Sequence, residues 1–188
     1  MKDLSMREEQ SLIWDYFKPR HTHAWNMLVL SWRELDKMSD EDEYALGFET
    51  EYFWENFILR LCLYRTTVRT LTKLNSVRRE ANKILKNFDR VFDTNGRNGL
   101  IALRDMFEHF DDYASGKGKG PGLREKDLDP YRLFTRDRYE RGQFYLERQK
   151  SYEAAIKLCS EAGRVSGQFI LWYRQQNETL IEPLEQSV

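Results

Sequence analysis

From Glu49 to Phe92 the chain repeats apolar residues at the spacing of an α-helix: Phe57, Leu61, Tyr64, Val68, Leu71, Leu74, Ala81, Leu85, Phe88 and Phe92. Steps of three and four put side chains on one side of a 3.6-residue turn, whereas a half-buried strand needs strict alternation. A stretch this long leaves two outcomes: one very long helix, or two helices joined near Asn75 and Ser76. Either outcome calls for partner helices to cover the apolar stripe, so the fold class follows as all-α. The polar side is also patterned. Between Arg60 and Arg90 it carries Arg65, Arg69, Lys73, Arg78, Arg79, Lys83 and Lys86 against only Glu80 and Asp89. A run of charge is first a solvated helix face, but clustered cations are also the electrostatic footprint of nucleic-acid binding. Arg65, Arg69 and Lys73 are the RNA-binding candidates on this segment.

The flanking segments supply the partners. Ser5 with Glu8 reads as a capping box opening a first helix, whose apolar residues Leu12, Ile13, Tyr16 and Phe17 run up to Pro19, expected to break or kink it. A second segment from about Arg20 to Met38 repeats Trp25, Leu28, Trp32 and Leu35, the seam of a bundle helix. His21 and His23 are two apart and do not share a face, which argues against a paired ligand role. The acidic run after Ser39 suits a helix start, and Gly47 precedes the long periodic stretch. Near the other end, Tyr152, Ala155, Cys159, Ala162, Phe169 and Trp172 line one face of a last helix capped by Ser151 and ending before Pro183. Between Tyr131 and Arg148, Leu133 and Thr135, then Phe144 and Leu146, alternate around Tyr139-Glu-Arg-Gly142 in a way that permits a β-hairpin, with a helix as the alternative. The architecture expected is an up-and-down bundle of four to five helices in one domain over 1–188, with a small hairpin inserted before the last helix.

The chemistry-bearing stretch is Gly99 to Gly122, GLIALRDMFEHFDDYASGKGKGPG. A helix from about Leu100 to Tyr113 would face Leu100, Leu103, Phe107 and Phe110 to the core and bring Arg104, Asp105 and His109 to one patch. Gly116 to Gly122 is a basic loop, without the spacing of a phosphate-binding P-loop, that reads either as a mobile surface loop or as one closing over an RNA backbone, with Lys117 and Lys119 as further RNA-binding candidates. The plainer reading of the same residues pairs Arg104 with Glu108 at i+4 and leaves His109 near a helix C-terminus, where its charge suits the dipole.

Arg104-Asp-Met-Phe-Glu-His109 fits the pattern of an Arg, a polar residue, three further residues and a His within a chain of long helices. It resembles the signature of the HEPN superfamily of small helical bundles, many of which are metal-independent ribonucleases of toxin–antitoxin and phage-defence systems. The resemblance implies an endoribonuclease with Arg104, Asp105 and His109 at its centre, two copies facing one another across a homodimer, and RNA and an antitoxin or other protein as partners. Asp105 stands where asparagine is frequent in that family. The chemistry is consistent with the residues: an imidazole titrating near 6.5 exchanges protons with ribose hydroxyls, and a guanidinium holds phosphate. The alternative from another class is a non-catalytic helical interaction module that binds RNA or a protein.

Composition narrows the remaining classes. A net charge of −1 over 188 residues gives no global basic field, so any RNA contact has to be a local patch. Aromatics make up 14%, with five Trp and ten Tyr, which suits a well-packed core or an interface. The two cysteines, Cys62 and Cys159, fall in apolar helical positions, and with no CxxC or Cys/His cluster a zinc site is not expected. Asp93 to Arg104 superficially resembles a calcium loop but has Asn98 where glycine is required and Arg104 where glutamate is. No metal and no cofactor are therefore expected. With no apolar run of membrane length and no leader, a cytoplasmic protein without a membrane partner is expected.

Overall fold

The computed structural model describes residues 6–37, 47–108 and 132–178. Among them are five α-helices: α1 (Met6–Asp36), α2 (Gly47–Arg69), α3 (Arg78–Val91), α4 (Gly99–Glu108) and α5 (Arg148–Glu178). Five short strands complete the set: β1 (Asp93–Thr94) and β2 (Arg97–Asn98) form one hairpin, and β3 (Arg132–Phe134), β4 (Arg138–Arg141) and β5 (Phe144–Glu147) a three-stranded antiparallel meander. The chain is thus an all-α bundle with a small β insertion before the last helix, one strand larger than a hairpin.

The long periodic stretch resolves into two helices. Two 3-10 turns, Thr70–Lys73 and Asn75–Val77, separate α2 from α3, with Leu74 between them in an extended conformation (ψ 111°). The break is held by a buried side chain from α1. Gln10 donates through Nε2 to the Lys73 carbonyl at 3.3 Å and accepts the Asn75 N–H through Oε1 at 2.8 Å. Backbone groups freed by the interrupted helix are thereby satisfied rather than left buried and unpaired.

Pro19 does not divide α1. The helix runs through it for 31 residues. A proline removes one backbone donor and crowds the carbonyl four residues back, but Pro19 is on the exposed side, where water can take over that carbonyl. On the opposite side Phe17, Ala24, Leu28 and Leu35 are buried on α2 and α5 across both halves, and this continuous burial outweighs the local cost. α1 runs antiparallel to α2, with Gln10 beside Lys73 and His21 beside Tyr64, and antiparallel to α5, with Trp14 against Phe169 and Trp32 stacked on Tyr152 at 4.3 Å. The last helix starts at Arg148, three residues ahead of the expected Ser151 cap, because β5 runs straight into it and the Arg148 N–H is taken by the Asp137 carbonyl at 2.8 Å.

The meander packs on the helical core through Tyr139, Phe144 and Leu146, all buried. Trp54 of α2, fully buried, donates its indole N–H to the Thr135 carbonyl at 2.7 Å and ties helix to sheet. The acidic segment after Ser39, the basic loop 116–122 and the end of the α4 prediction past Glu108 lie outside the described residues.

Candidate functional site

A groove of about 950 Å³ is walled by the end of α2, by α3, by the β1–β2 hairpin and by α4. Local sequence explains how these walls are set. Asn95 and Gly96 take positive φ (53° and 78°), the two-residue turn whose twist matches a hairpin, and the Asp93 carboxylate accepts the Gly96 N–H at 2.8 Å. Asn98 then caps α4 by accepting the Ile101 N–H at 3.1 Å. The Gly99 N–H returns to the Phe92 carbonyl at 2.7 Å, and a Cβ there would stand 3.2 Å from that oxygen, so α4 is pinned closely against the end of α3.

The groove has an apolar floor and a charged rim. Leu85, Ile101, Ala102 and Phe144 form the floor. Arg65, Arg69, Lys86, Arg90 and Arg97 supply cations, against the carboxylates of Asp89, Asp93 and Asp105. Arg65 is engaged: its Nε and Nη2 each reach an Asp89 carboxylate oxygen at 2.6 Å, a bidentate pair that holds its guanidinium charge more firmly than usual. Arg69, Lys86, Arg90 and Arg97 make no side-chain hydrogen bond or ion pair among the described residues. Four exposed cations therefore surround an apolar cleft, an arrangement suited to an anion that also has a flat or apolar part.

Of the residues singled out in the sequence, Arg65, Arg69 and Asp105 come together in this groove. Arg104 sits beside it on α4, bonded to Asp105, with Glu108 at 3.2 Å, the i+4 pair of the plainer reading. Burial works against the Arg104 charge, and Asp105 and Glu108 more than offset it, so its basicity is raised. Lys73 does not reach the groove. It lines a neighbouring cavity of about 460 Å³ with Leu12, Ile13 and Tyr16, and Arg69 forms the wall shared by the two. His109, Lys117 and Lys119 lie outside the described residues. The hairpin residue Arg97 and the floor residue Phe144 were not marked as site candidates. The Asn-Gly pair between two short polar runs was the signal for the hairpin.

Cys62 stands behind this site, buried, its Sγ 3.9 Å from the Leu100 carbonyl, and burial pushes its thiol up to about 12. A thiol held protonated is no nucleophile. A second polar cluster lies in the core: His21 Nε2 is 2.8 Å from the hydroxyl of the fully buried Tyr64, which also hydrogen-bonds Cys159. Phe17 and Tyr64 flank the imidazole at ring distances of 5.0 and 5.4 Å, and burial holds His21 below the ordinary imidazole value. This is a packed structural histidine, in keeping with the spacing argument against a ligand role. Among the described residues no group of His, Cys, Asp and Glu could hold a metal ion, and no helix is long and apolar enough to cross a membrane. In comparison with known proteins, no family model, no curated protein and no solved structure matches this chain.

Proposed function

We propose that the protein is a HEPN-like, metal-independent endoribonuclease that lays a single RNA strand in the groove between α2, α3 and α4. The observation that carries this reading is the convergence on one groove of Arg65 and Arg69 from α2 with Asp105 from α4, three residues singled out by two unrelated sequence features. An apolar floor beside exposed cations accepts an unstacked base next to its phosphate, which single strands offer and duplexes do not. In the reaction, His109 takes the proton of a ribose 2′-hydroxyl. The freed oxygen bonds to the adjacent phosphorus, and the 5′-oxygen leaves and is protonated by the His109 of a second copy across a homodimer. Arg104 holds the phosphate as charge develops, and Asp105 orients it. For this Arg104 releases Glu108 to take the phosphate and keeps its bond to Asp105. Glu108 is exposed, and an exposed i,i+4 pair is worth about 0.3–0.5 kcal/mol, so the exchange is inexpensive.

The second reading is an RNA-binding module that does not cut. The pairing of Arg104 with Asp105 and Glu108 favours it, because a guanidinium already satisfied within its own helix needs no phosphate. Purified wild type, Arg104→Ala and His109→Ala, each incubated with a mixed RNA pool in EDTA, separate the two. EDTA-resistant cleavage by the wild type that both variants lose establishes the ribonuclease. Binding without cleavage by all three leaves the module, and neither binding nor cleavage overturns both readings.

A further inference from the structure

The cations of α3 extend beyond the groove. Lys86 and Arg90 line it, while Arg79 and Lys83 line a separate cavity of about 440 Å³ together with Arg164 and Gln168 of α5. At about 100° per residue, Arg79, Lys83, Lys86 and Arg90 fall within an arc of roughly 60° on the helix. All four are exposed, as is Arg164, and none makes an ion pair among the described residues. The acidic residues of α3 stand off this arc: Glu80 is about 60° beyond its edge, and Asp89 is turned toward Arg65. From Arg79 to Arg90 the helix advances about 16 Å, a length that several phosphates of a single strand span. The two cavities thus lie at either end of one cationic face, with Glu80 at the margin of the distal one.

We infer that α3 is the backbone track of the bound strand: an RNA single strand enters over Arg79, Lys83 and Arg164 at the α3–α5 cleft, follows α3, and reaches the groove at Lys86 and Arg90. The inference rests on the RNA reading above and adds to it a second, distal contact site with a direction and a length. RNA is favoured over an acidic protein surface because the distal cavity is polar, bounded by Arg79, Glu80, Lys83, Arg164 and Gln168, with no apolar side chain to anchor a protein partner. The groove at the other end has the apolar floor that a base requires.

The test is binding of oligouridylates of about four and about ten nucleotides, one at the short end of common single-strand site sizes and one well inside them, by wild type and by Lys83→Ala/Arg164→Ala. Both residues are exposed and neither lines the groove, so the double variant folds and keeps the groove. The short oligonucleotide binds both proteins equally. The long one binds the variant roughly tenfold more weakly, and its salt dependence flattens by about 1.4 in log–log slope, two lost phosphate contacts at about 0.7 each. Equal binding of the long oligonucleotide by both proteins overturns the track and leaves the groove reading standing. Equal weakening of both lengths also overturns it, because the two residues would then act on the groove itself. Failure of the wild type to bind either length overturns the RNA reading and the track with it.

Discussion

Two arginine-rich regions of this molecule use the same side chain for opposite ends. Where α1 meets the meander, Arg148 and Arg136 are bound to Asp36, and Arg148 also reaches Asp137 at 3.2 Å while lying over the Trp32 ring. The Arg148 side chain is only 10% exposed. Its partners fix the end of α1, a strand connection and the start of α5 relative to one another. Along α3 the cations face outward and meet no carboxylate among the described residues. Net charge cannot distinguish the two, since the whole chain sums to −1. What separates them is whether the fold supplies the counter-ion.

The comparison breaks first at its structural pole. Arg148→Ala removes a nearly buried guanidinium and leaves Asp36 and Asp137 without it, and is expected to lower stability by about 2 kcal/mol in urea denaturation. RNA affinity should be unchanged at temperatures where the variant is folded. Arg65→Ala lies between the poles. It breaks the bidentate bond to Asp89, for an expected loss of about 1–2 kcal/mol, and it changes the groove, so both stability and RNA binding should fall.

Acid sharpens the distinction by timing. Burial holds His21 below the ordinary imidazole value, so the folded state binds fewer protons than the unfolded chain. Stability is therefore full above the unfolded value near 6.5 and declines as pH falls below it, until the folded value is passed. A His21→Gln variant should lack that decline. The Asp36 carboxyl, held low first by its hydrogen bond to Arg148 and then by Arg136, acts later: its contribution persists above the unfolded value of 3.8 and is lost below it. Two separate steps in stability against pH are expected, and a single step would contradict the account. The smallest stability effect belongs to the functional pole. Lys83→Ala and Arg79→Ala should each stay within about 0.5 kcal/mol of wild type, since nothing among the described residues bonds to either side chain.

Much of the helical frame was legible because apolar spacing is a direct record of burial. Phe57, Leu61, Tyr64, Val68, Leu71 and Leu74 are all fully buried, and the join near Asn75 falls where the polar pair suggested. Pro19 misled because local propensity says nothing of the tertiary packing that carries α1 through it. The strand that escaped notice is β4, Arg138–Arg141, because its short Tyr139-Glu-Arg run next to Gly142 reads as the turn between the Leu133 and Phe144 arms of a hairpin. For the site, the sequence marked Arg65, Arg69 and Asp105, which the fold gathers, but also Lys73, which faces the neighbouring cavity. Residues from α2, α3, the β1–β2 hairpin, α4 and β5 meet in the groove, and no spacing along one helix encodes such a meeting. Arg164 was invisible for the same reason: it joins the α3 face only because α5 runs antiparallel beside it.

The most direct test of RNA seated along α3 and its groove is lysine footprinting by mass spectrometry, comparing acetylation of the protein with and without a saturating single-stranded RNA. Lys83 and Lys86 should be protected, and Lys37, Lys150 and Lys157, exposed on other parts of the molecule, should react as before. Unchanged reactivity at Lys83 and Lys86 while Lys37 or Lys150 becomes protected would place the RNA elsewhere and contradict the account.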